Sequence, residues 1–248
     1  MNNTSLTNKS NFTVLAIVLA IGFIIGAWII SSTWRYVSRS NVTITVTGSA
    51  SENITSDLAI WRGSFSAESN TLVDAYAKLK LSNDKVSSYL LSKGFTQDKI
   101  IMSSINTMNL YENDREGIPT SQISGYRLSQ DVSIESNDVN KIDKLSREAT
   151  ELINEGVEFN SLSPEFLYTK LGDLKIRMIG KASADAKERA EQIAESTGNS
   201  IGEVRSSKMG VMQINAKNST EVSDYGMNNT SSLEKTVTSV VNVSFSIK

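Results

Sequence analysis

Two acidic groupings are the places where this chain could do chemistry. Glu112, Asp114 and Glu116 alternate within the polar stretch ENDREGIPTSQIS, where oxygen ligands could gather around calcium. Glu188, Glu191 and Glu195 recur along a helical repeat, where paired carboxylates could serve as general acid and base. Neither grouping meets the requirements of its chemistry. The Asp-x-[Asp/Asn]-x-[Asp/Asn]-Gly spacing of a calcium loop is missing and Arg115 sits among the acids, which fits a solvated loop. The helical acids lie on a wet face, without the burial that separates two carboxylate pKa values.

The chain contains no cysteine and no histidine. Those two zeros remove disulfides, thiolate nucleophiles, Ser-His-Asp systems and most zinc chemistry, and leave carboxylates, Lys, Tyr and Arg for any catalysis. No G-x-G-x-x-G or G-x-x-x-x-G-K-[ST] sequence offers a phosphate cradle. The residues therefore give no catalytic group, no metal ligand set and no cofactor site, and the chain reads as a non-enzyme. Of its 248 residues 39% are hydrophobic and 21% charged, with a formal charge of −2, as expected of one or two globular domains with a real core. Basic residues are scattered and the pI is near 5.4, which disfavours nucleic acid as a partner.

The strongest local signal lies near the amino terminus. FTVLAIVLAIGFIIGAWII, from Phe12 to Ile30, carries no charge and as a helix reaches roughly 28 Å, close to the hydrocarbon thickness of a bilayer. A cleaved signal peptide has a shorter apolar region and small residues at its cleavage site, whereas here Trp28, Ile29 and Ile30 run on into SSTWRY. The reading is a short tail over 1–11 and an uncleaved transmembrane anchor over 12–34, with Trp28, Trp34 and Tyr36 at the membrane interface and membrane lipid as its partner. Lys9 weighed against Arg35 and Arg39 slightly favours a cytoplasmic domain after the anchor. Gly22 and Gly26 form G-x-x-x-G, a pattern compatible with helix pairing in the membrane and also with ordinary membrane-helix composition.

After the anchor the pattern alternates between strands and helices. VTITVT, from Val42 to Thr47, is a half-buried strand, and a second strand over about 58–68 places Trp61 and Phe65 on one face. A helix runs from Thr71 to just before Gly94, with Asn70 as N-cap and Leu72, Ala75, Tyr76, Leu79, Val86 and Leu90 marking it. Strands over about 99–111 and 125–135 form a hairpin with a long tip. A helix from Asn137 or Asp138 to Gly156 and a strand over 157–167 follow. In KASADAKERAEQIAESTG, Ala182, Ala186, Ala190 and Ala194 recur every fourth position with Met178, Ile193 and Thr197 beside them. This is a helix whose small residues let it lie close on a sheet or another helix, stopped by Gly198. A strand over about 200–214, a flexible Asn/Ser/Thr-rich insertion over about 215–232 and a last alternating strand complete the order ββαββαβαββ. The fold class is α+β, mostly antiparallel sheet packed by helices and preceded by one transmembrane helix, with a single domain over 41–248.

Several of these segments, taken in order, carry a resemblance. VTITVTGSASENITSDLAIWRGSFSAES, SKGFTQDKIIMSS, SGYRLSQDVSIE and KASADAKERAEQIAESTGNSIGEV together resemble the SIMPL domain, also called DUF541, over roughly 41–248. Ser56 stands where that family usually has proline before the aspartate, which loosens a turn. The resemblance implies a bacterial envelope protein, periplasmic or membrane-anchored. Some such proteins assemble into ring- or channel-like homo-oligomers, and some are linked to oxidative-stress defence. It implies no established activity. It also implies a domain outside the cytoplasm, held by the inner membrane, and this outweighs the marginal charge count; without Cys or His any protective effect is indirect.

The resulting expectation is a membrane-tethered, non-enzymatic scaffold that self-associates. Its candidate interface is the terminal strand, through Val237, Val241, Val243, Phe245 and Ile247, because an alternating strand can add to another subunit's sheet. The alternative is an envelope binding module that recognises a ligand or client protein in a pocket between sheet and helices, lined by Trp61 and Phe65.

Overall fold

A computed structural model describes residues 5–40 and 42–248; residues 1–4 and 41, and the side chains of residues 5–13 and 35–40, among them Lys9, Phe12, Arg35, Tyr36 and Arg39, lie outside the described set. Helix α1 (Ser5–Ser40) runs beyond the expected anchor at both ends, so residues 5–11 of the expected tail are helical. Its stretch Val14–Trp34 is long and apolar enough to cross a membrane, being rich in Ile, Leu, Val and Ala and free of charged residues. Gly22, Gly26, Trp28, Ile30 and Trp34 all fall within it, with Trp28, Ile30 and Trp34 exposed.

The remaining elements are β1 (Thr43–Thr55), β2 (Leu58–Ser69), α2 (Leu72–Ser92), β3 (Ile100–Met102), β4 (Asn106–Asn113), β5 (Pro119–Ser136) and α3 (Val139–Glu148), then β6 (Glu158–Ser161), β7 (Glu165–Leu167), α4 (Leu171–Ser196), β8 (Ile201–Met209), β9 (Gln213–Ala216), β10 (Met227–Asn228) and β11 (Glu234–Ile247). The mixed α+β class holds, with strand pairing antiparallel except between β9 and β10 in every register described. One sheet has the order β1-β11-β9-β10 with β8 also on β11. The other has β3-β5-β2-β6 with β4 on β5 and β7 on β2. Two compact units divide the chain: Met1–Ala50, Ile179–Gly210 and Val240–Lys248 form the first, Ser51–Met178 and Val211–Ser239 the second.

Within the second unit, β2 alternates so that Ala59, Trp61 and Phe65 are buried with Leu79 and Val86 of α2 and Val132 of β5. The α2 face differs from the expected one: Leu72 and Tyr76 are exposed, while Ala75, Leu79, Ser82, Val86, Tyr89 and Leu90 are buried. Its N-cap is Thr71 rather than Asn70, the Thr71 hydroxyl accepting the N–H of Asp74 at 3.2 Å. Asp138 caps α3, which tightens into a 3-10 turn over Ala149–Glu155 before Gly156 takes a left-handed φ of 78°.

Two expected strands are each broken in two. Pro164, with no N–H for the ladder, lies between β6 and β7, and Gly210 lies between β8 and β9. The strand expected over 99–111 is also split, into β3 and β4. The insertion over 215–232, expected to be flexible, makes specific contacts with β9 and the residues flanking it. Gln213 Nε2 donates to the Ser223 carbonyl at 2.7 Å, Asn215 Nδ2 donates to that of Glu221 at 2.5 Å, and β10 pairs with β9.

Ser56 does not loosen its turn as expected: its N–H, which proline would lack, donates to the Leu233 carbonyl at 3.0 Å. The neighbouring Asp57 carboxylate accepts the Thr169 N–H at 2.7 Å and the Thr169 hydroxyl at 2.9 Å. Burial pushes the Asp57 pKa up, but the bonds from Thr169 outweigh it and hold the carboxyl below its ordinary value.

Lys235, on β11, is 1% exposed, and its Nζ donates to the Phe166 carbonyl. Burial lowers its pKa from the ordinary lysine value. Such an amine lowers stability while it is protonated. Lys235→Met, which keeps the apolar stem, is expected to raise stability near pH 7 by about 1–2 kcal/mol. That advantage shrinks as pH rises toward 10.5. Over that window the native amine sheds its proton before the unfolded one, so the wild type gains stability with pH. Thermal melts of both proteins near pH 7 and near pH 10 check the sign and the trend.

Candidate functional site

The alanine stripe of α4 builds the most developed surface feature of the first unit. Ala182, Ala186, Ala190 and Ala194 are all completely buried, and the first three share a core with Val46, Val241, Val243 and Phe245. The small-residue face meets a glycine. A Cβ added to Gly48 on β1 would lie 2.2 Å from the Ala182 carbonyl oxygen and 2.6 Å from the Ala186 Cβ. The helix backbone thus rests almost directly on the strand backbone, the close approach that alanine and glycine permit together.

This seat fixes the register of the polar residues beside it. Asp185 Oδ2 accepts the Ser49 N–H at 2.7 Å and the Arg189 Nε–H at 2.9 Å. The Ser49 bond first, and Arg189 second, hold the Asp185 carboxyl below its ordinary pKa. Asp185 with Arg189 and Lys187 with Glu191 form ion pairs four residues apart on α4, the second at 3.7 Å.

A groove of about 690 Å³ opens between α4 and β1. Asp185, Glu188, Arg189, Gln192 and Ile193 form its helical wall, a ridge at three- and four-residue spacing, and Val46 and Thr47 form the strand wall. Ile193, expected on the buried stripe, is instead 47% exposed on this wall. Among the described residues, β1 pairs with β11 alone. The Ile247 N–H donates to the Val42 carbonyl on that inner side, so backbone groups of Thr43, Thr45 and Thr47 alternate to the outer edge, where Ser49 meets Asp185.

The structure places the other sequence candidates elsewhere. Trp61 and Phe65 do not line a pocket: both are 1% exposed or less, Trp61 stacks on Phe159 with centroids 6.0 Å apart, and its Nε1–H donates to Ser161 Oγ at 3.0 Å. Aromatic side chains on a strand buried beneath helices become core. The terminal strand is not an edge. β11 has β1 on one side and β8 and β9 on the other, and Val237, Val241, Val243 and Phe245 are buried within the chain, so strand addition through Val237 to Ile247 is already satisfied internally. The acidic tip is a closed turn in which Asp114 Oδ1 accepts the N–H groups of Glu116 and Ile118, each at 2.9 Å. A smaller cavity of about 240 Å³ in the second unit includes Phe95, Lys99, Glu135 and Asp138. Part of its polar wall is structural: Asp138 caps α3, Asn137 Nδ2 donates to the Asp57 carbonyl at 2.9 Å and Ser136 Oγ accepts the Asp138 N–H at 3.1 Å. Among the described residues no three His, Cys, Asp or Glu side chains gather as a metal site.

The groove itself was beyond sequence reasoning, because its walls come from segments far apart in the chain. The one local signal was the lone Gly48 opposite an alanine stripe. A family model described as SIMPL, a protein of unknown function (DUF541), matches residues 44–245. No curated protein matches the chain. Gly48→Ala is expected to destabilise the protein by about 3 kcal/mol, because the obstructing atoms are backbone and cannot swing away. Gly22→Ala, with nothing within 4 Å of the added carbon, is expected to leave the same denaturation curve unmoved.

Proposed function

Since this chain belongs to the SIMPL family of proteins of unknown function, we propose that it is a membrane-anchored cell-envelope protein whose soluble part self-associates, without a catalytic role. In this reading α1 is an uncleaved anchor and the SIMPL region lies outside the cytoplasm. One observation carries it. α1 ends at Ser40 and β1 begins at Thr43, so a strand with an open outer edge starts no more than about 11 Å from the end of the apolar helix. Anchoring confines copies of that edge to one surface, where raised effective concentration turns weak contacts into stable ones. An exposed strand edge is a template for pairing unless something covers it.

The groove also favours a second reading, an envelope binding module that takes a ligand or client protein between α4 and β1. Mass photometry of the full-length protein in detergent separates the two. Self-association gives a discrete species at a multiple of the 27.1 kDa chain mass. A monomer at every concentration overturns it and moves the binding-module reading forward, to be pursued through ligand-dependent melting.

A further inference from the structure

We propose that the groove between α4 and β1 seats strand β8 of a second copy of this chain, paired parallel to β1, so that copies join head to tail; this rests on the self-association reading above. The first unit has two different sheet edges. β1 is open on its outer side, and β8 pairs with β11 alone among the described residues. Every residue of β8 from Glu203 to Met209 is exposed, including Val204 and Met209.

Strand direction selects between the two edges as the groove's occupant. Val42 meets Ile247, Thr45 meets Ser244 and Thr47 meets Asn242, so β1 runs antiparallel to β11. β8 also runs antiparallel to β11 and is therefore parallel to β1. If β1 paired with its own copy, the two-fold would require antiparallel strands, and the two anchors would leave from opposite ends of the pair. Residues 41 and 42 are all that separate α1 from β1, so copies rooted in one bilayer with β1 rising from it keep the starts of their β1 strands on one side. A β8 edge meets that condition.

Side-chain faces and regularity agree with the direction. Ser207 and Met209 lie opposite Val243 and Val241, on the face that α4 covers, so the exposed Met209 is the β8 side chain turned toward the groove. The register shifts in the β8–β11 pairing fall before Ser206, leaving Ser206–Met209 as the regular stretch, with Lys208 in it. Thr47, Asn242 and Lys208 already form one row across the sheet, as do Thr45, Ser244 and Ser206, so the joined copies continue the same rows.

The absence of cysteine from the chain allows a clean test. Thr45→Cys is combined in turn with Ser206→Cys and with Lys208→Cys in the full-length protein, and membranes are treated with a short bismaleimide. A ladder of covalent dimers, trimers and higher species is expected from at least one double variant and from none of the three single variants. Cross-linking by Thr45→Cys alone would show β1 facing β1 and overturn the proposal. Double variants that remain oligomeric by mass photometry but give no ladder overturn the β8 seat while leaving self-association standing. Monomeric wild-type protein overturns both.

Discussion

The first unit depends on how closely a helix can approach a strand. At Gly48 no side chain separates the β1 backbone from the α4 backbone, and Ala182 and Ala186 return the same economy of volume from the other side. Larger residues on either surface would lift the helix away from the sheet. The lift would also pull the Asp185 carboxylate out of reach of the Ser49 N–H, a bond made at 2.7 Å. Packing and polar contact are therefore one constraint here, and the groove is what remains beside a helix held that low.

The second unit is pinned by polar groups whose partners lie far away in sequence. The Trp61 indole N–H reaches Ser161, whose hydroxyl donates in turn to the Ser146 carbonyl at 2.7 Å. This chain lets a large aromatic side chain enter the core without leaving its donor unpaired. Asp57 does comparable work at the surface, binding both the backbone and the hydroxyl of Thr169 just before α4 begins. That contact gives the aspartate a structural reason to follow β1.

Much of the fold was legible because helix and strand periods are written plainly. The alanine stripe, the alternation of the terminal strand and the glycines that stop the helices all correspond to real elements. What periodicity could not show was position within a sheet. An alternating strand reads alike whether it lies at an edge or in the middle, so Val237, Val241 and Val243 mark β11 without revealing its neighbours on both sides. Adjacent cap formers also hid the start of α2, since Asn70 and Thr71 are both good caps and only the bond to Asp74 decides between them. The insertion after β9 reads as flexible by its Asn/Ser/Thr composition, yet Asn215 within it and Gln213 just before it donate hydrogen bonds to its backbone. The candidate groove was the least legible part, because Thr47 and Glu188 become neighbours only after the chain has folded.

The pairing of β1 with β11 also sets a timetable for biosynthesis. Thr45 meets Ser244, a partner 199 residues further along the chain. At ordinary rates of synthesis that distance takes about 10–40 s to produce. Throughout that interval β1 has been made while its inner neighbour has not, and the closure of so long a loop comes late in folding. A prematurely terminated product would keep both sides of β1 bare and present an unpaired strand to proteases and chaperones. The inner side of β1 is thus sheltered only once β11, made 199 residues later, has reached it.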